Sequence, residues 1–488
     1  MVQKFSWRTR GNNEENFGTA TLVRSTASDG AVTRAFYNEL RGLIGSAVVF
    51  PLAERLEGRS LQDKQRLFDA EMALPFAMRR RRSWQRLCAT VRFAAAHVPY
   101  YRDLFATIAF DPASLERDPK YLQDIPVLTK DIIRSEGERL LRDDHRQFRK
   151  FVSKTGGSTG PSAAITYDQD AADWSSAVTR HARACIGAGS MRLELHLAAR
   201  FQDAFPLKDR LREQIKCLAN NRINVTFSSY AADELGRIWR EIAAARPYLV
   251  HGHPSTLHQL AIHAAATDLP RPAFDIFESS GETLDRKQRR VIQELLKCTV
   301  INRYGLAEAG VVAYQTDRAR PDMQVFDPLA WPEVLDVDYA DELPQVDDGR
   351  SGELAITTLR NEMMPLIRYR TGDATTLRET PTGFRLADIF GRVHDVVEIG
   401  GVKMPTHHIQ DELDRIGGIA EFQIMVGTGR PTLSLVLETD AATELIRRKI
   451  EALWGNEIEI AFVAADALKL QGWRSKFRHL VAPAGASP

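Results

Sequence analysis

No hydrophobic run in this sequence is long enough to cross a bilayer. The longest apolar stretch, Leu43 to Ala53, is broken by Gly45, Ser46 and Pro51, whereas a spanning helix needs about 20 apolar residues. Cysteine is scarce: Cys88, Cys185, Cys217 and Cys298 lie far apart with no CxxC pair, which argues against a zinc knuckle or a disulfide framework and leaves reduced thiols. Neither sign of charge is in excess. With 65 basic and 64 acidic side chains the formal net charge is +1, so the electrostatic footprint of a nucleic-acid binder is missing. A Walker A spacing is absent too, which removes the P-loop NTPases. The start of the chain carries Lys4, Arg8 and Arg10 without an apolar signal core, so a cytoplasmic location is expected.

What is present is ample material for folded domains. The chain has 488 residues, 44% hydrophobic and 26% charged, more than one hydrophobic core accommodates. Residues 1 to about 30 are rich in Asn, Ser, Thr and Gly without a period and read as an arm. Arg79 to Arg82 open a segment in which Leu87, Val91, Ala94 and Ala95 follow helical spacing, and read as a solvated helix start. From about residue 230 helix and strand alternate. Leu235, Ile238, Trp239 and Ile242 lie on one helix face; Tyr248–Val250, Phe274–Phe277 and Thr299–Ile301 are short apolar strands, each followed by a polar, Gly-bearing loop. That alternation predicts a largely parallel sheet with ligand loops at its carboxyl ends. After about Ile389 the pattern changes to a small α+β unit of roughly 100 residues.

Three loops carry recognisable chemistry. Ser153-Lys154-Thr155-Gly156-Gly157-Ser158-Thr159-Gly160-Pro161 follows a strand-like Phe151-Val152; its glycines admit a polyphosphate close to the backbone, and its amides and hydroxyls donate to it. Tyr304-Gly305-Leu306-Ala307-Glu308 ends a strand with a ring suited to stack a base and a carboxylate suited to magnesium. In Arg368-Tyr369-Arg370-Thr371-Gly372-Asp373 the Asp follows a Thr-Gly turn and is suited to accept from a ribose diol.

These loops, with Ser279-Ser280-Gly281-Glu282, Gly391-Arg392-Val393-His394-Asp395 and Arg474-Ser475-Lys476-Phe477-Arg478, resemble in their order the acyl-adenylate-forming superfamily of acyl-CoA ligases, adenylation domains and luciferases. Ala96-His97-Val98-Pro99-Tyr100-Tyr101-Arg102 and Leu122 to Lys130 are similar to the opening segments of its phenylacetate–CoA ligase and CapK-type branch; the likeness spans roughly residues 85 to 485. The resemblance implies an α/β fold: an N-terminal extension and helical entry over residues 1–84, a large adenylate-forming domain with mixed, mostly parallel sheets and helices over 85–390, and a small mobile α+β domain over 391–488.

It also implies a function and a site. ATP activates a carboxylic acid to an acyl-adenylate with release of pyrophosphate, and the acyl group passes to coenzyme A, with Mg2+ as the metal. Thr155, Gly156, Gly157, Ser158, Thr159 and Gly160 would cradle the phosphates; Ser280, Gly281 and Glu282 would line the base pocket; Tyr304, beside Gly305, would stack on adenine. Asp373, assisted by Arg392, would hold the ribose; Glu308 would hold Mg2+; Lys476 would meet the carboxylate and α-phosphate. His251, Gly252, Pro254 and Ser255 would line the acid pocket. His251, His253 and His258 are not read as a metal site, because a Gly/Pro turn separates them and no cysteine joins them.

Four departures loosen the second half-reaction. Ala307 stands where the family has Ser or Thr; Pro161-Ser162-Ala163 lacks a lysine; His394-Asp395 replaces Asp-Asp; and Lys403 stands where the branch often has Asn. Transfer to an amine, a hydroxyl or a carrier-protein thiol, transfer of AMP itself, or a non-catalytic nucleotide-binding relative are the alternatives. A homodimer is compatible with the sequence.

Overall fold

The computed structural model describes residues 26–154, 163–199, 207–227, 229–267, 269–337, 349–393, 395–427, 429–438, 441–471 and 476–481. Among the described residues no helix is long and apolar enough to cross a membrane. A hairpin of β1 (Phe151–Lys154) and β2 (Ala164–Tyr167) brackets the Gly/Ser-rich loop, whose residues Thr155 to Gly160 lie outside the described ones.

An eleven-stranded sheet follows. Its parallel part consists of β3 (Glu194–Ala199), β4 (Arg222–Phe227), β5 (Leu249–Gly252), β6 (Ile276–Ser279) and β7 (Thr299–Leu306), in the order β4-β3-β5-β6-β7. The helix–strand alternation of the sequence accounts for this part, since parallel neighbours need a crossover and helices supply it. Helix Ala232–Ala245 buries Leu235, Ile238, Trp239 and Ile242 against one face, the face its spacing predicts. The antiparallel part comprises β8 (Gly310–Tyr314), β9 (Met323–Val325), β10 (Ala330–Leu335), β11 (Gly349–Thr358), β12 (Tyr369–Thr380) and β13 (Gly383–Arg392). It joins the parallel part where β7 pairs with β8, and the order continues β8-β9-β13-β12-β11-β10. The α/β class stands, with parallel strand pairing in the large sheet confined to the helix-connected strands β3 to β7.

The helical N-terminal region departs from expectation twice. A helix already begins at Thr26, within the stretch read as an arm. Helix Phe76–His97 does begin near the arginine run, but Arg79 is buried, not solvated: its Nε lies 3.2 Å from Asp327 Oδ1 and it donates to the carbonyls of Leu74 and Thr382. Four guanidinium groups in a row look solvated in one dimension; the helix turns one of them into the core.

Beyond residue 395 lie the hairpin β14 (Val396–Ile399) and β15 (Val402–Pro405), the strands β16 (Ile419–Met425), β17 (Thr432–Leu437) and β18 (Glu459–Phe462), and the short β19 (Leu470–Gln471), β20 (Lys476–Phe477) and β21 (Leu480–Val481). A four-stranded sheet in the order β18-β17-β16-β21 packs with helices Thr406–Ile416 and Thr443–Trp454 around its own cluster, including Ile409, Leu413, Leu433 and Ile450. Against the large sheet this unit makes polar contacts: Gln288 Nε2 donates to Glu421 Oε2 at 3.1 Å, and Lys287 pairs with Glu438 at 2.8 Å.

Candidate active site

A cleft of about 440 Å³ opens between the carboxyl ends of the parallel strands and the C-terminal unit. Gly281, Tyr304, Asp373 and Arg392 line it from the large sheet, and Phe477, Arg478 and His479 from the other side. Two backbone positions need glycine: Gly281 in the cleft lining has φ +90°, and Gly372, inside β12 before Asp373 and not in the turn expected there, has φ +79°, where an L side chain is strained.

Tyr304, on β7, and Asp373, on β12, are far apart in sequence but bonded in space. The Tyr304 hydroxyl donates to Asp373 Oδ2 at 2.7 Å. Asp373 pairs in register with Arg392 of β13, whose Nε lies 3.4 Å from Oδ1. Both carboxylate oxygens are therefore engaged. Burial and the Asp373 charge hold the Tyr304 hydroxyl well above the ordinary tyrosine range, so it stays a donor.

Glu308 is buried, and its Oε1 accepts from the Tyr369 hydroxyl at 2.6 Å. The Lys130 ammonium stands 3.8 Å from the same oxygen. Lys130 begins helix Lys130–Glu136, capped by Thr129, which accepts from the Ile132 amide. The preceding Leu128 bridges onto β12, its amide donating to Arg368 O at 3.0 Å and its carbonyl accepting from the Arg370 amide at 2.9 Å. Arg368 in turn donates to the carbonyls of Gln123 and Ile125. Sequence reasoning quoted Lys130 as part of a family segment and gave it no role; a Thr-Lys helix start contains no signal that β12 will carry it to Glu308. Burial lowers its pKa, as do Arg392 and Arg478, while Glu308 and Asp373 oppose the shift.

Glu282 works as a clasp between elements. Its Oε2 accepts from Ser255 Oγ at 2.6 Å, its Oε1 accepts from the Phe477 amide at 2.6 Å, and His253 Nδ1 lies 3.4 Å from Oε1. The chain after β5, the chain after β6 and β20 are thus tied to one carboxylate. Ser280 contributes its amide, which donates to Gly252 O at 3.1 Å. Lys476 is on β20, beside the Phe477 amide that Glu282 holds; its side chain lies outside the described residues, as does His394.

The structure therefore brings Gly281, Glu282, Tyr304, Gly305, Asp373 and Arg392 to one cleft. Pro254, at the first turn of helix Pro254–Ala266, and Ser255 are buried beside it. His251 faces inward, with Nδ1 2.7 Å from Glu278 Oε2 but off the line of a hydrogen bond. For magnesium, Glu308 offers one buried carboxylate; among the described residues no group of three or more His, Cys, Asp or Glu could hold a metal. A single carboxylate fits a Mg2+ ion that takes its remaining ligands from substrate phosphates and water.

No family model matches the chain. It is 25% identical over 424 residues to the phenylacetate–coenzyme A ligase of Escherichia coli K12, covering 79% of this chain and 90% of that protein. It is 27% identical over 345 residues to the ligase of the same name from Aromatoleum evansii, covering 66% and 72%. Among solved structures it is similar to a 2-hydroxyisobutyryl-CoA ligase in the postadenylation state in complex with 2-HIB-AMP, with a TM-score of 0.64, 20% identity and coverage of 84% and 91%. The same ligase with 2-HIB-AMP and CoA in the thioesterification state gives a TM-score of 0.54 and 21% identity, covering 84% and 90%. The resemblance read from the ordered loops is borne out: this chain has the adenylate-forming fold of acyl-CoA ligases and is similar along most of its length to the phenylacetate–coenzyme A ligases.

Proposed function

We propose that this protein is an AMP-forming acid–thiol ligase that activates a carboxylic acid with ATP and transfers the acyl group to coenzyme A. The observation that carries the reading is that Tyr304, Asp373 and Arg392 line one cleft that β20 also reaches, with the Lys130–Glu308 pair electrostatically close to Asp373 and Arg392. The similarity to ligases named for phenylacetate supports an organic acid as substrate, and the complexes of the 2-hydroxyisobutyryl-CoA ligase with an acyl-AMP and CoA support both half-reactions.

In the first step a carboxylate oxygen attacks the α-phosphorus of ATP, the bond to the β-phosphate bridging oxygen breaks, and pyrophosphate leaves. Two anions are forced together, so fixed cations are worth most where charge develops. In our reading Tyr304 stacks on the base and Asp373, aligned by Arg392, accepts from the ribose hydroxyls. Thr155 to Gly160 hold the outer phosphates, while Lys130 and Lys476 face the reacting oxygens. Mg2+, held by Glu308, would neutralise phosphate charge. In the second step the thiol sulfur attacks the acyl carbonyl, its proton goes to solvent, and AMP leaves. Residues 391–488 are proposed as a mobile unit turning about 391–405, with large-scale reorientation between the steps, and the location as cytoplasmic.

The test is ATP–pyrophosphate exchange across a panel of acids, followed by detection of the thioester. Acid-dependent exchange with consumption of coenzyme A is the expected result. No acid-dependent exchange would overturn the reading. Exchange without CoA consumption would reassign the acceptor to an amine, a hydroxyl or a carrier-protein thiol.

A further inference from the structure

The parallel strands change character on one face just before they reach the cleft. Leu249 on β5, Ile276 on β6 and Ile301 on β7 are buried in one apolar cluster with Trp174 and Tyr314. Side chains two residues on share that face, and there the sequence places His251, Glu278 and Arg303. His196 of β3 pairs in register with His251, and His251 with Glu278. On β5, β6 and β7 the inward position that follows the apolar residue is thus hydrogen-bonding.

These groups form one network. Glu278 is fully buried and receives Arg183 Nε at 3.1 Å and the Tyr314 hydroxyl at 2.7 Å on Oε1. On Oε2 it receives Arg183 Nη2 at 2.7 Å and Arg303 Nη1 at 3.3 Å. Arg183 Nη1 also donates to Glu194 Oε2 at 2.5 Å, and His196 Nε2 lies 3.3 Å from that oxygen. Two guanidinium groups face two carboxylates, so charge balances, but donors outnumber acceptors. Arg183 takes both oxygens of Glu278 and one of Glu194, while the Arg303 side chain, held by a single 3.3 Å bond to Glu278, keeps 18% of its surface exposed. Arg303 lines the cleft directly beside Tyr304. Burial keeps both imidazoles neutral, with His251 lowered to about 3, so each offers one N–H and one acceptor.

A purely structural ion network is the competing account. Buried ion pairs are no more stable than well-packed apolar residues of the same volume, so stability alone gives no reason for three apolar faces to give way to a histidine, a glutamate and an arginine beside a cleft. A partly exposed guanidinium side chain lining a cavity is complementary to an acceptor on whatever fills it.

We propose that Arg303, with His251 and His196 behind it, reads a second oxygen on the acid substrate: the protein activates carboxylic acids that carry a hydroxyl, carbonyl or second carboxylate on their skeleton in preference to the unsubstituted acids. This rests on the acid-activating reading above and names its substrate class.

The experiment compares kcat/KM for acid-dependent ATP–pyrophosphate exchange by the full chain over matched acids: butyrate against 3-hydroxybutyrate and succinate, benzoate against 4-hydroxybenzoate, and phenylacetate against 4-hydroxyphenylacetate. The expected result is a preference of about 100-fold for an oxygen-bearing member over its parent, the scale on which a site built to hydrogen-bond rejects an analogue lacking the group. Arg303→Met should bring that ratio to within about threefold of one, and Arg303→Lys should keep an intermediate ratio, as expected for a point charge without the guanidinium fork. A preference for the unsubstituted acid in every pair overturns the proposal, as does an unchanged ratio in Arg303→Met. Absence of acid-dependent exchange with every acid tested instead removes the underlying reading. The preference of the unmodified protein is decisive by itself if Arg303→Met fails to fold.

Discussion

The Tyr304 hydroxyl donates to Asp373 Oδ2 at 2.7 Å while Arg392 faces Oδ1 at 3.4 Å, so the carboxylate proposed to hold the ribose is fixed from both sides. A carboxylate aligned in advance loses little freedom when substrate binds. Tyr304→Phe keeps the ring and removes the bond. Hydrogen bonds to charged groups contribute about 1.5–3 kcal/mol, so the KM for ATP should rise about tenfold or more, with kcat for exchange changed about threefold or less. An unchanged KM would show that Arg392 alone aligns Asp373.

Lys130 gives a second expectation. Its ammonium shares Glu308 with the Tyr369 hydroxyl in a partly buried setting, where a point charge acts strongly on an anionic reaction. Lys130→Met should lower kcat for exchange about 10- to 100-fold. The pKa of Lys130 is held below the ordinary lysine value by burial, so rising pH removes its charge earlier than for a solvent-exposed lysine. The alkaline limb of the rate should begin below pH 10.5 and move upward in Lys130→Arg. A profile identical in both proteins would take Lys130 out of the reaction.

The contrast between these two residues shows what the sequence could convey. Tyr304 and Asp373 stand out because each belongs to a motif whose residue types state a chemistry, although both lie inside strands, β7 and β12, and not in the loops expected. Lys130 does not, because its position depends on Leu128 pairing with β12, a contact between distant segments with no local periodicity. Glu282 illustrates a third case. Its place after the strand β6 is legible in the alternating pattern, while its bonds to Ser255 and Phe477 depend on how three separate segments converge. Arg79 was misread because a run of four arginines carries no mark of which one the helix buries.

The Glu282 clasp predicts an effect on the C-terminal unit. Glu282→Ala removes the acceptor of the Phe477 amide, which sits next to Lys476. Limited proteolysis should then cut near residues 470–480 several-fold faster, and acyl-adenylate formation should fall with it. Faster cleavage with unchanged adenylate formation would separate the clasp from the proposed role of Lys476.

Glu421 yields a pH dependence with a definite sign. It is buried between Gln288, which donates to it at 3.1 Å, and His479, 3.7 Å away, and burial raises its pKa to about 7 from 4.5. A carboxyl whose folded pKa exceeds its unfolded one binds its proton more tightly in the native state. Its contribution is therefore complete below about pH 4.5 and lost as pH rises through about 7, an effect on the order of 3 kcal/mol. Glu421→Gln mimics the protonated form and keeps a hydrogen-bonding amide. The substitution should raise the unfolding temperature at pH 8 by a few degrees, about the shift expected for a few kcal/mol in a protein of this size, and change it little at pH 5. Thermal melts of both proteins at the two pH values give the comparison. Equal gains at pH 5 and pH 8 would mean that Glu421 does not titrate in this range.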